Sequence, residues 1–234
     1  MSKNKTDSSL KKVSSAGVSP ADGGNAAALL SRAVCPDRRC ATIQRQTKET
    51  NIALSVDLDG VGRSKVNSGV GFFDHLLSTL AKHSAIDCEV SCKGDVQIDD
   101  HHAVEDIGIV LGQAVQKALG DKTGIRRFGF ASAPLDEALA QVTVDLSGRA
   151  FFALSGRQRL GKGKVGAFDV ELLEDFLSAF ANASGTTIHV EIRAGRNRHH
   201  ILEAIVKALA RALRQAVERD DRITDVPSTK GTLK

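Results

Sequence analysis

From Ile43 onward the hydrophobic positions follow two periods that alternate along the chain. In "AIDCEVSC" (85–92), Ile86, Cys88, Val90 and Cys92 recur at every second position, the pattern of a strand with one buried face. In "FFDHLLSTLAK" (72–82) the apolar residues recur every three or four positions, which predicts a helix with one buried stripe. Longer amphipathic helices are predicted over "EDIGIVLGQAVQKAL" (105–119) and "LEAIVKALARALRQAV" (202–217). The series occurs twice. "ETNIALSVDLDG" (49–60) aligns with "EALAQVTVDLSG" (137–148), placing Glu49 opposite Glu137, and "FFDHLLSTLAK" aligns with "LLEDFLSAFAN" (172–182). The expected fold is α/β (α+β): an internal duplication of two similar sheet-plus-helices half-domains packed together, 42–125 and 126–234.

The pattern is missing from the first forty or so residues, which are rich in Ser, Ala, Gly and Lys. Residues 1–41 are therefore expected to be a disordered tail or a processed leader. That stretch also explains the net charge of +4. Residues 1–48 hold nine Lys/Arg against three Asp, so the remainder is close to neutral. A folded nucleic-acid reader would be expected to carry a basic face there, so nucleic acid is not an expected partner. No apolar run approaches the roughly 20 residues a bilayer span needs, so a membrane is not expected either. Cys88 and Cys92 fall on the buried side of a strand and read as free thiols in a reducing compartment. The expected location is the cytoplasm, with a plastid the alternative should the tail act as a transit peptide. The Gly-rich, basic loop "SGRQRLGKGKVG" (155–166) is expected to be a solvated hairpin end rather than a phosphate-facing flap.

The candidate chemistry lies in a third repeated unit, HHxxE. It occurs as His101, His102 and Glu105 in "DDHHAVED", and as His199, His200 and Glu203 in "RNRHHILEA". On a helix, Glu105 lies four residues from His101 and three from His102, so it can share a cation with either. Asp99, Asp100 and Asn197 offer capping chemistry just ahead of each pair. Adjacent helical side chains diverge by about 100°, so one HH pair cannot easily aim at one ion. Each motif is therefore expected to contribute to two metals. His75 and His189 could complete the sets, although either alone would more often be a core or capping histidine. Three imidazoles and one carboxylate leave open positions on a six-coordinate metal, which favours manganese or iron over zinc. His83 falls outside this scheme.

With those residues in place, the chain resembles imidazoleglycerol-phosphate dehydratases of histidine biosynthesis. The similarity runs from about Arg45 to Leu233 through "RQTKETNI", "GVGFFDHLL", "GDVQIDDHHAVEDIGI", "PLDEALAQVTVDLSGR", "GRNRHHILEA" and "VPSTKG". The clearest departure is Ala103, where that family usually has Thr; it touches no ligand position. The resemblance implies a hydro-lyase converting D-erythro-imidazoleglycerol phosphate to imidazoleacetol phosphate plus water. It implies two Mn2+ ions per active site, held by His75, His101, His102, Glu105, His189, His199, His200 and Glu203. It also implies a homo-oligomer, a 24-mer whose subunits complete each other's sites.

The same resemblance places Glu49 as the base that contacts substrate, with His75 and Glu203 in the catalytic set as well as among the ligands. It assigns Arg127, Arg149, Lys207, Ser228, Thr229 and Lys230 to the substrate and its phosphate, where guanidinium, ammonium and hydroxyl groups are suited to anion contacts. Glu137 is expected to be structural. The competing readings are a dinuclear metallohydrolase and a metal-structured assembly without catalysis.

Overall fold

The period-two stretches are strands and the period-3.6 stretches are helices, in two passes of one topology. The computed structural model describes residues 38–233 together with Met1. Of the tail expected over 1–41, residues 2–37 lie outside the described residues, whereas its last residues are placed, Cys40 and Ala41 beginning the first strand. The first pass comprises β1 (Cys40–Gln46), β2 (Thr50–Asp57), β3 (Ser64–Asn67), α1 (Gly71–Ser84), β4 (Asp87–Gly94) and α2 (His101–Leu119). The second comprises β5 (Phe128–Leu135), β6 (Ala138–Asp145), β7 (Phe151–Ser155), a small β8–β9 hairpin (Lys164–Val165 and Phe168–Asp169), α3 (Leu172–Ser184), β10 (Thr187–Ala194) and α4 (Arg198–Val217).

The two four-stranded sheets run β1-β2-β4-β3 and β5-β6-β10-β7. In each, the first two pairings are antiparallel and the last is parallel. Alternation decides which face is buried: Ile52, Leu54 and Val56 of β2 and Cys88, Val90 and Cys92 of β4 point inward, as do Val142 and Val144 of β6 and Ile188, Val190 and Ile192 of β10. Cys88 and Cys92 are free and buried, as expected from their spacing. No described helix is long and apolar enough to cross a membrane.

The helices pack between the sheets' buried faces, and they pack in an exchanged manner. α2 lies on β1 and β2 and α4 on β5 and β6, whereas α1 packs on α4 and α3 on α2. Each half thus lends its first helix to the second helix of the other half. The α2–α3 crossing is close because Gly108 and Gly112 face it: a Cβ at either would lie 2.7 Å from the carbonyl oxygen of Phe176 or Phe180. A polar link seats α2 on its sheet, with Asp106 accepting from Thr50 Oγ1 at 2.5 Å and from Arg45 Nη2 at 3.0 Å. The basic 155–166 loop is pinned where it leads into the hairpin: Leu160 is buried and its carbonyl accepts from Arg198 Nε. Phe168 of β9 is buried against Phe72 and Phe73 of α1.

Candidate metal centre

Both HHxxE units open a helix. Asn197 Oδ1 caps α4, accepting from His199 N at 2.9 Å. At α2 the corresponding bond comes from Asp99, whose Oδ1 accepts from His101 N at 2.8 Å, while Asp100 at the cap position makes no side-chain cap bond. The adjacent rings diverge as helical geometry requires. The planes of His101 and His102 stand at 86°, and those of His199 and His200 at 90°.

The exchange of helices gathers one group across 128 residues of sequence. His75 of α1 meets α4 with its Nε2 2.8 Å from Glu203 Oε1, and His199 Nε2 lies 3.0 Å from the same oxygen. One ligand atom from each of the three residues falls within 4.8 Å of the others. Lys207 Nζ approaches the second carboxylate oxygen at 2.7 Å. Burial pushes the Glu203 carboxyl upward, but hydrogen bonds from Lys207, His75 and His199 outweigh it and hold the pKa at about 2. Two imidazole nitrogens bracketing one ionised oxygen form a donor set that fits a divalent first-row cation and leaves coordination positions open. His83 lies two turns beyond His75 on α1; burial, then Lys207 and Arg211, lowers its pKa.

A related group occupies the matching position of the other half. His101 lies 3.6 Å from Glu105 and, through Nδ1, 3.6 Å from Asp175. Asp175 stands where the repeat alignment places the counterpart of His75, so this second trio carries an aspartate for a histidine. Its histidine is about as exposed as those of the first group, and the difference lies in the glutamate: Glu105 is 48% exposed where Glu203 is 12%. Sequence reasoning passed over Asp175, although the alignment that paired the two helices contained the signal.

The remaining ligand candidates separate. His102 Nδ1 lies 3.1 Å from Asp95 Oδ2, and its Nε2 lies 3.9 Å from Glu49 Oε1. His200 Nδ1 lies 2.7 Å from Glu137 Oε2. His189 stands on the exposed face of the second sheet beside Phe151, at 5.6 Å between ring centroids, and meets no other histidine among the described residues. That face also exposes Phe128 and Phe130.

Of the groups expected at substrate, Glu49 stands 3.9 Å from His102 and Lys207 2.7 Å from Glu203. The Arg127 guanidinium pairs with Asp145 at 2.7 Å and donates to the Pro227 carbonyl at 2.8 Å. It anchors the segment carrying Ser228, Thr229 and Lys230. Arg149, Thr229 and Lys230 are exposed and Ser228 is half-buried.

Comparison with known proteins matches these features. The family model described as "Imidazoleglycerol-phosphate dehydratase" matches residues 68–213. An imidazoleglycerol-phosphate dehydratase of Granulibacter bethesdensis is 55% identical over 196 residues, covering 83% of this chain and 99% of that protein. One from Desulforamulus reducens is 53% identical over 195 residues, covering 83% and 98%. The crystal structure of the Staphylococcus aureus dehydratase superposes with a TM-score of 0.70 at 38% identity, over 77% of this chain and 99% of that one. That of the Pyrococcus furiosus protein, in complex with (S)-C348, gives 0.68 at 34% identity, over 82% and 100%. The paired sheets, the exchanged helices and their histidine clusters thus occur in a chain that belongs to the imidazoleglycerol-phosphate dehydratase family.

Proposed function

We propose that the protein dehydrates D-erythro-imidazoleglycerol phosphate to imidazoleacetol phosphate in histidine biosynthesis, at a divalent-metal centre. The observation that carries the reading is the His75–His199–Glu203 group with Lys207 behind its carboxylate. Among the described residues, those three are where one chain brings two histidines of the ligand set to one carboxylate. We assign His101, His102, Glu105, His189 and His200 to the same pair of centres through contacts between copies of the chain, with two manganese ions per site. When bound, the metal supplies Lewis acidity and fixes the substrate's imidazole ring.

The chain's own groups perform the rest. The reaction removes a proton from one carbon and a hydroxyl from its neighbour, so a base must stand near the ring without being a ligand. Glu49 meets that need. It sits at the tip of a turn in which Thr47 Oγ1 accepts from Glu49 N and Thr50 N, 54% exposed and 3.9 Å from His102 Nε2. We place Arg149, Ser228, Thr229 and Lys230 at the phosphate, with Arg127 holding the 227–230 segment for them. Lys207, hydrogen-bonded to Glu203, keeps that carboxylate ionised.

His189 supports shared sites, because it lies among exposed aromatic rings on a sheet face, and among the described residues it joins no group of three metal-ligating side chains. We therefore propose a homo-oligomer, with the 24-mer as its closed form. The test is Glu49→Gln, assayed for conversion of imidazoleglycerol phosphate, metal content and mass by light scattering. Turnover should fall by at least about a hundredfold, the scale of general-base catalysis, with metal content and mass retained and no phosphate released by either protein. Undiminished turnover removes Glu49 from the mechanism, and release of phosphate by the wild type overturns dehydration.

A further inference from the structure

The duplicated glutamates have parted company. Glu49 and Glu137 each stand immediately before the second strand of their half, yet they face opposite sides of the following histidine. Glu137 Oε2 meets His200 at Nδ1, 2.7 Å away. Glu49 faces His102 at Nε2, and the Nδ1 of that ring is held instead by Asp95, at 3.1 and 3.2 Å to its two oxygens.

The connecting loops explain the difference. Asp95 directly follows β4, and the residue directly following β10 is Gly195. A Cβ there would lie 2.5 Å from Ile201 Cγ1 at a φ of +140, so the second half has no room for a carboxylate at that place. Its loop is also shorter, with three residues between strand and helix where the first half has six. Glu137 fills the gap, and its other oxygen accepts from Arg196 N at 3.2 Å and Asn197 N at 2.8 Å, which ties the loop to the same carboxylate. The same contact, a carboxylate on the Nδ1 of the second histidine, is thus built twice from residues that do not correspond in the repeat.

We infer that Asp95 and Glu137 are positioning residues that hold His102 and His200 with the proton on Nδ1 and present Nε2 as the metal-binding atom. Glu49, relieved of that task by Asp95, is left on the Nε2 side, where it can face substrate. A carboxylate on the far nitrogen fixes ring orientation and tautomer and makes the near nitrogen a stronger donor. The inference rests on the metal reading above.

The experiment uses the full chain and Co2+ as probe, read by its visible d–d absorption and by competition against a chelating dye, with no turnover involved. Glu137→Ala and Asp95→Ala should each weaken cobalt binding about 10- to 100-fold and alter the d–d bands, whereas Glu49→Ala should do neither. Added formate, which can occupy the space left by the carboxylate, should recover part of the affinity in Glu137→Ala and change nothing in the wild type. Wild-type protein that fails to bind cobalt overturns the metal reading. Wild-type binding matched by both Asp95→Ala and Glu137→Ala overturns this inference alone, as does an equal loss in Glu49→Ala. Should Glu137→Ala fail to fold because its loop is released, Asp95→Ala decides the question in the other half.

Discussion

Gly112→Ala tests whether the helix exchange is as tight as it looks, because two effects of opposite sign meet at that position. In a helix interior, alanine is favoured over glycine by about 1 kcal/mol. Against this, the new Cβ would lie 2.7 Å from Phe180 O, 2.8 Å from Ala183 Cβ and 3.0 Å from Ser184 N. Two of those atoms are backbone and no rotamer change removes them, so α2 and α3 must part by several tenths of an ångström. Overpacking of this kind costs about 1–3 kcal/mol, and three simultaneous short contacts place it at the upper end. The net expectation is a loss of about 1–2 kcal/mol. Urea unfolding at fixed protein concentration, followed by far-UV circular dichroism, should show a lower midpoint with an unchanged slope. Gln113→Ala, exposed on the same helix, is the control and should not lower the midpoint. A Gly112→Ala protein as stable as the wild type, or more so, would mean that propensity wins and that the helices are not in contact at this depth.

Two further outcomes follow from groups away from the metal centre. The Arg39 guanidinium holds the Asp59 carboxyl below its ordinary pKa, against the opposing effect of burial, and Arg39 also donates to the Val217 carbonyl at 2.6 Å. A carboxylate depressed in the folded state adds stability above its unfolded pKa and loses it as pH falls through the folded one. The wild type should therefore out-melt Asp59→Asn at neutral pH, with the gap closing below about pH 4; a gap independent of pH refutes the pairing. Burial pushes the thiol of Cys88 up to about 12 and that of Cys92 up to about 11. Iodoacetamide at pH 8 should therefore label these two positions, read by peptide mass mapping, no faster than the protein unfolds. Rapid labelling of either in the native protein contradicts its burial.

The elements were legible because alternation and 3.6 periodicity each identify a buried face, and the repeat was legible because identical patterns recur in order. What periodicity cannot say is which surface covers a buried face. The apolar stripe of 72–82 predicts a packed helix without naming its partners; α1 meets β3 and β4 of its own sheet and also α4, and only the last contact brings His75 to Glu203. Ring divergence within each HH pair was a matter of helix geometry and was readable in advance. The capping at Asp99 rather than Asp100 depended on loop conformation, which was not readable. Asp95 and Asp175 were missed because an acidic residue in a loop or on a helix surface is ordinary until a tertiary contact puts an imidazole beside it. Arg127 adds a contact that its residue type did not announce: its guanidinium pairs with Asp145 and donates to the Pro227 carbonyl.

The exchange of helices also determines what holds the metal-binding group in place. Phe73, Leu76, Leu77 and Leu80 on α1 share an enclosed apolar spot with Val206 and Leu209 of α4 and with Leu173 and Phe176 of α3. Each such side chain contributes about 1.5–3 kcal/mol when fully buried, whereas a hydrogen bond from His75 or Lys207 to Glu203 contributes roughly 1 kcal/mol net, or somewhat more when charged. Packing therefore dominates polar contact in fixing where α1 sits, and His75 reaches Glu203 as a consequence of the core. Neither half could do this alone, since an isolated first half would leave the stripe of α1 without α4 and His75 without its carboxylate. The same exchange carries Asp175 to His101, and there the chemistry differs although the packing is equivalent. Geometry inherited from the duplication thus supplies two like positions between the halves, and the identity of one side chain at each, His75 or Asp175, decides which of them one chain can present as a two-histidine, one-carboxylate group.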